Sequence, residues 1–144
     1  MEIDRNLLER KLLALEEYIR EIKELQGHAL EEFLKDGKLQ DLAERRLETA
    51  IQCSIDIANH IISRLSLGQP EEYSESFEIL GAKNIIPEDF SLILSDMAKF
   101  RNVLVHLYDK IDEARVHKAV EDGVKDIIKY AQSIRQFMKE HKEL

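Results

Sequence analysis

Arg46-Leu47-Glu48-Thr49-Ala50-Ile51-Gln52-Cys53-Ser54-Ile55-Asp56-Ile57-Ala58-Asn59-His60-Ile61-Ile62 lies at the centre of a segment, Leu39 to Leu67, that contains neither Gly nor Pro. Its apolar residues (Leu42, Ala43, Leu47, Ala50, Ile51, Ile55, Ile57, Ala58, Ile61, Ile62 and Leu65) recur at threes and fours, the period of a helix. They spread over much of the circumference instead of keeping to one stripe, with Arg45, Arg46, Asn59 and Arg64 as interruptions. A helix apolar over so much of its surface is buried on more than one side. The additional side is expected to be a subunit interface.

The flanking segments fit the same class. Before the central helix, Asp4 is a good N-cap, and Leu8, Leu12, Leu15, Ile19, Ile22, Gln26, Ala29 and Phe33 form one seam. Gly27 interrupts it, so a short second helix is expected around residues 28–36, stopped by Asp36-Gly37-Lys38. After it, Gly68-Gln69-Pro70 ends the central helix, and residues 73–80 read as a short helix capped by Ser74 or Ser76. Gly81 to Ile86 reads as a connection. Pro87, Glu88 and Asp89 suit the first turn of a helix that sends Phe90, Ile93, Leu94, Met97, Phe100 and Leu104 to a core. Asp112 can cap a last helix with the seam Val116, Ala119, Val120, Val124, Ile127, Ile128, Ala131, Ile134 and Phe137–Met138. No period-two run and no internal repeat interrupts this pattern. The expectation is an all-α bundle of four long helices plus short ones, with residues 1–144 as a single domain.

Composition narrows the function. No apolar run reaches the ~18 residues a membrane span needs, and the charged start Glu2-Ile3-Asp4-Arg5 lacks an apolar signal core. No membrane association and a cytoplasmic location are expected. The lone Cys53 rules out an intrachain disulfide and a Cys-rich zinc site, and reads as a small core residue. His28, His60, His117 and His141 lack mutual metal-ligand spacing and read as structural or solvated. There is no Gly-rich phosphate loop and no Ser nucleophile elbow. Neither a metal nor a cofactor is expected. The net charge of −8 argues against non-specific binding along a nucleic-acid backbone, but not against a small site for one or two phosphates.

One stretch carries chemistry that a helical core does not need: Arg101-Asn102-Val103-Leu104-Val105-His106-Leu107-Tyr108, with Lys99, Lys110, Arg115 and Lys118 nearby. Arg presents a charged planar fork that suits a phosphate, and His exchanges protons near neutrality. Together they fit RNA cleavage without a metal, with Asn102 orienting the phosphate or the imidazole. At ~100° per residue, Arg101 and Tyr108 share a face, whereas Arg101 and His106 lie ~140° apart. The helix is therefore expected to end or distort between Leu104 and Tyr108, with partners meeting across two subunits as well. A two-fold dimer, with the 39–67 helix or this motif-bearing helix at its interface, would double a sparse catalytic set. Taken alone, Arg-x4-His is common by chance.

The motif does not stand alone. Together with Met97-Ala98-Lys99-Phe100 leading into Arg101, the central stretch Arg46–Ile62 and the segment Tyr73-Ser74-Glu75-Ser76-Phe77-Glu78-Ile79-Leu80, it resembles the HepT-like branch of the HEPN domains over nearly the whole chain. That resemblance implies a HEPN helical bundle that dimerises and acts on RNA as the ribonuclease toxin of a toxin–antitoxin pair. Arg101 and His106 would be the catalytic pair, with Asn102 beside the Arg. A minimal nucleotidyltransferase antitoxin would silence it by transferring AMP to Tyr108. Two other readings stay open. One is a non-catalytic HEPN module that binds a nucleotidyltransferase or nucleotide, favoured by the acidic charge. The other is a purely structural helical dimer, which leaves the motif without a purpose.

Overall fold

The computed structural model describes residues 2–105 and 111–144. Among these residues seven α-helices follow in order: α1 (Arg5–Lys23), α2 (Leu30–Leu34), α3 (Gly37–Arg64), α4 (Tyr73–Ala82), α5 (Glu88–Val105), α6 (Glu113–Lys118) and α7 (Val124–Glu140). A π-helical turn, Ala119–Gly123, joins the last two. Among the described residues there is no strand, and no helix is long and apolar enough to cross a membrane. The four long helices are α1, α3, α5 and the α6–α7 rod, so the expected all-α bundle is the fold observed.

The helix starts follow from local chemistry. Asp4 Oδ1 accepts the Leu7 N–H, and Asp112 Oδ1 accepts those of Ala114 and Arg115. Asp36, expected to help stop the preceding helix, caps the next: its Oδ1 accepts the Leu39 N–H and α3 begins at Gly37. The central helix stops before the Gly68-Gln69-Pro70 signal. The Leu67 N–H turns back to the Ile62 carbonyl, with Ser66 in the left-handed region at φ 52°. Asn84 (φ 58°) closes α4 in the same way, so Gly81 and Ala82 belong to the helix and not to a connection. Ser74 and Ser76 are buried and are not caps. The Ser76 hydroxyl donates to Asn59 Oδ1, and the Ser74 carbonyl accepts from the Ser95 hydroxyl.

α3 is the spine. Leu47, Ala50, Ile51, Ile55, Ile57, Ala58, Ile61 and Ile62 are all buried within one chain, because α1, α2, α4, α5, α6 and α7 each pack on α3. Its broad apolar surface is therefore absorbed inside the bundle, and the expected interface on this helix is not required to cover it. The α1 seam is buried through Ile22, but the chain turns at Gly27 (φ 93°). Leu25 thus takes the core place read for Gln26, and Ala29 is exposed. Tyr130, absent from the seam read on the last helix, is fully buried and donates its hydroxyl to the Ser54 carbonyl at 2.9 Å. Two long-range clamps tie α7 to α1. Arg135 pairs with Glu9 and Glu16 at 3.0 and 2.8 Å, and Arg5 donates to the carbonyls of Met138 and His141.

α4 and α5 form a tight antiparallel hairpin. A Cβ added at Gly81 would lie 2.5 Å from Ser91 Oγ, so these backbones approach as closely as only glycine permits. That hairpin sets where the end of α5 lies. Ile93, read as core, is 47% exposed, as are Leu92 (61%) and Val103 (44%). Solvent meets three large apolar side chains on α5 and one, Leu42, on α3.

Candidate phosphate-binding site at the end of helix α5

Phe90, Leu94, Ala98, Phe100 and Leu104 anchor α5 in the core, and this fixes the orientation of its last turn. Arg101 lies just before that turn and Asn102 opens it, both half-buried. The Arg101 guanidinium donates from Nη1 to Asn102 Oδ1 at 3.3 Å, and its central carbon lies 5.2 Å from the centroid of the Tyr73 ring. Nε is enclosed and has no hydrogen-bond partner among the described residues.

Three other arginines are ion-paired, Arg5 is held by backbone carbonyls, and the remaining ones, exposed, have no carboxylate partner among the described residues. Arg20 pairs with Glu17, Arg46 with Glu24, and Arg135 with Glu9 and Glu16. Among the described residues, no carboxylate pairs with Arg101. In a chain of net charge −8, a half-buried guanidinium held by an amide and an aromatic face keeps its charge available for an anion. Positive charge is reinforced from α6. Arg115 lies over the ring of Phe100, the residue before Arg101, at 4.6 Å. Lys99 and Lys118 are exposed.

His106 and Tyr108 lie outside the described residues, as do Lys110 and most of the segment where α5 was expected to end or distort. Asn102 was expected to orient the phosphate or the imidazole, and its carbonyl oxygen is on Arg101. Tyr73 has no signal in the local sequence around Arg101. It reaches the guanidinium only because the hairpin brings the start of α4 to the end of α5.

A second titratable group went unread in the sequence. Glu44 on α3 and Glu113 on α6 place their carboxyls within hydrogen-bonding reach. Burial, then the charge of Glu113, pushes the Glu44 carboxyl up to about 7, and burial also raises Glu113. A shared proton gives these two acids a hydrogen bond that two carboxylates could not form. The two residues are remote in sequence, so neither one's neighbours betray the pair.

The remaining candidates are structural. Cys53 is half-buried, not fully in the core. Its thiol is pushed up to about 11 by burial, and it faces the Lys11 carbonyl at 3.4 Å. His60 is held below its usual range, first by burial, and its Nε2 accepts the Asp4 N–H. His117 packs on Phe33, and His141 on Phe137. Among the described residues, no group of three or more His, Cys, Asp and Glu is placed to hold a metal ion.

With this geometry in hand, comparison with known proteins is specific. The family model described as Ribonuclease HepT-like matches residues 15–134. The tRNA nuclease HepT of Aphanizomenon flos-aquae is 28% identical over 132 residues, spanning 92% of this chain and 90% of that protein. The mRNA nuclease HepT of Shewanella oneidensis is 28% identical over 130 residues, 90% of this chain and 97% of that one. Among solved structures, the tri-AMPylated Shewanella oneidensis HEPN toxin in complex with MNT antitoxin superposes with a TM-score of 0.82 at 29% identity. It covers 90% of this chain and 96% of that chain.

Proposed function

Because the chain belongs to the ribonuclease HepT-like family, we propose that it is an endoribonuclease acting as the toxin of a toxin–antitoxin pair, with residues 1–144 as one catalytic unit. The observation that carries this reading is Arg101: half-buried, fixed by Asn102 and Tyr73, without a carboxylate among the described residues, and five positions before His106. In the proposed reaction the RNA 2′-hydroxyl attacks the adjacent phosphorus. His106 takes the hydroxyl proton or gives one to the departing 5′-oxygen, and Arg101 stabilises the charge that develops on the phosphate. The bond to the 5′-oxygen breaks, leaving a 2′,3′-cyclic phosphate. None of these steps draws on a metal ion.

The exposed face of α5 supports a homodimer. Leu92 and Val103, three turns apart, fall within ~20° of one face, with exposed Asp96 and Lys99 between them. An antiparallel two-fold pairing that sets Leu92 against Val103 of a second copy also sets Asp96 against its Lys99. A two-fold interface must be self-complementary in this way. Arg101 lies on the opposite side of α5 from this face, so the pairing leaves each Arg101 in its own chain's site.

The partner proposed for the toxin is a minimal nucleotidyltransferase. It would join AMP from ATP to the Tyr108 oxygen and release pyrophosphate, placing a bulky anion where the RNA phosphate must bind. A non-catalytic module that binds such a partner is the alternative, and the net charge of −8 favours it. Incubation with RNA in EDTA separates the two. The proposal expects cleavage by the wild type and a loss of about a hundredfold or more in Arg101→Ala and His106→Ala, with helicity unchanged. A folded wild type that leaves RNA intact would favour the module.

A further inference from the structure

We infer that Tyr73 is a positioning residue for the same reaction: its ring holds the Arg101 guanidinium in the orientation that receives the RNA phosphate. The inference rests on the ribonuclease reading above and adds to it a residue on a different helix.

The chain has three cation–aromatic contacts among its described residues, and one is built the opposite way to the others. Lys129 lies 4.5 Å from the Phe90 ring and Arg115 lies 4.6 Å from the Phe100 ring. Both of those rings are core residues, 2% and 6% exposed, and the cation covers them from outside. At Tyr73 the ring is 39% exposed, and the cation is the half-buried member, with Nε enclosed. A ring so exposed gains little from burial, so core packing does not account for its place. Its evident effect is on Arg101.

The mount is rigid. Tyr73 opens α4, and the next residue, Ser74, is buried, with its carbonyl held by the Ser95 hydroxyl of α5 at 2.7 Å. Two residues further on, the Ser76 hydroxyl donates to Asn59 Oδ1 of α3 at 2.6 Å. The backbone beneath the ring is thus pinned to both neighbouring helices. Asn102 Oδ1 holds one end of the guanidinium, and the ring lies against it at 5.2 Å. A long arginine side chain is otherwise free to adopt many rotamers, and holding it in advance removes an ordering cost from the chemical step. The ring does this through its face, so its hydroxyl is dispensable.

The test compares wild type, Tyr73→Phe, Tyr73→Leu and Arg101→Ala by steady-state cleavage of a single-stranded RNA. The Arg101 Nε–H resonance of the full chain is followed by NMR. Tyr73→Phe should match the wild type in kcat, KM and chemical shift. Tyr73→Leu should lose about tenfold in kcat, within the span of cation–aromatic contacts, with KM changed less than about threefold and the resonance moved off its ring-shifted position. If Tyr73→Leu cleaves as well as wild type while Arg101→Ala does not, the inference is overturned and the ribonuclease reading stands. If Tyr73→Leu raises KM and leaves kcat alone, the ring contacts RNA directly and positioning is overturned. If the wild type does not cleave, or Arg101→Ala cleaves as the wild type does, the underlying reading fails and takes the inference with it.

Discussion

At the residue scale, three positions carry separable loads. Tyr108→Phe removes one hydroxyl. If Tyr108 is a control point, the variant should retain most RNA cleavage and escape silencing by the nucleotidyltransferase with ATP. Mass spectrometry should find added AMP on the wild type and none on the variant. Tyr130 and Gly81 report on the packing of the fold. Tyr130→Phe forfeits a buried hydrogen bond to the Ser54 carbonyl and should cost about 1 kcal/mol in urea unfolding. Gly81→Ala drives a methyl group into Ser91 at 2.5 Å and should cost about 1–3 kcal/mol, because two backbones must separate. Tyr130→Phe leaves Arg101 and its α4–α5 setting untouched, so that variant should cleave RNA at temperatures where it remains folded. Of these residues only Tyr108 is singled out by the sequence. Gly81 reads there as the start of a loop, and Tyr130 lies off the apolar seam of its helix. What makes both important is a partner on another helix.

At the scale of elements, sequence periodicity reported what each helix does to itself, and it was silent on what covers it. The seam of α1 and the caps at Asp4 and Asp112 were legible because cap and seam are local. The breadth of apolar residues on α3 was legible too, but its meaning was not. Six helices pack on α3, and no local pattern distinguishes that from a subunit interface. Ile93 shows the same ambiguity in reverse, apolar by type and exposed in fact. The Glu44–Glu113 pair, which joins α3 to α6, gives this scale its own prediction. The folded chain keeps on Glu44 a proton that the unfolded chain releases at the ordinary value of 4.5. That contribution to stability is present below about 4.5 and is lost as pH rises through about 7. Glu44→Gln keeps a hydrogen-bond donor at every pH. It should flatten the decline and be more stable than wild type at pH 8 by about 1 kcal/mol, well below the full shift because the pair is partly solvated. Thermal unfolding from pH 4 to 8 measures this.

At the scale of the molecule, the α5 face makes a claim about assembly that a charge swap can settle. In the proposed two-fold pairing, Asp96→Lys alone would oppose two lysines, and Lys99→Asp alone would oppose two aspartates. Each should weaken the dimer about tenfold, and the double swap should restore it, as read by light scattering across a dilution series. Failure of the double variant to recover would refute this register. The last helical rod carries a different kind of information. Its buried residues Val116, Val120 and Val124 are spaced at successive fours before the spacing tightens to three, which the π turn at Ala119–Gly123 accommodates by winding one extra residue into the helix. The Val120 carbonyl inside that turn receives the side-chain amide of Gln26 at 2.9 Å. Such a turn holds one residue more than α-helical spacing needs, and removing one would close it. Deleting exposed Asp122 would restore ordinary helical spacing, with Val120 and Val124 both still facing inward. This rod can shed a residue where the same deletion in the middle of α3 would turn half the core toward water.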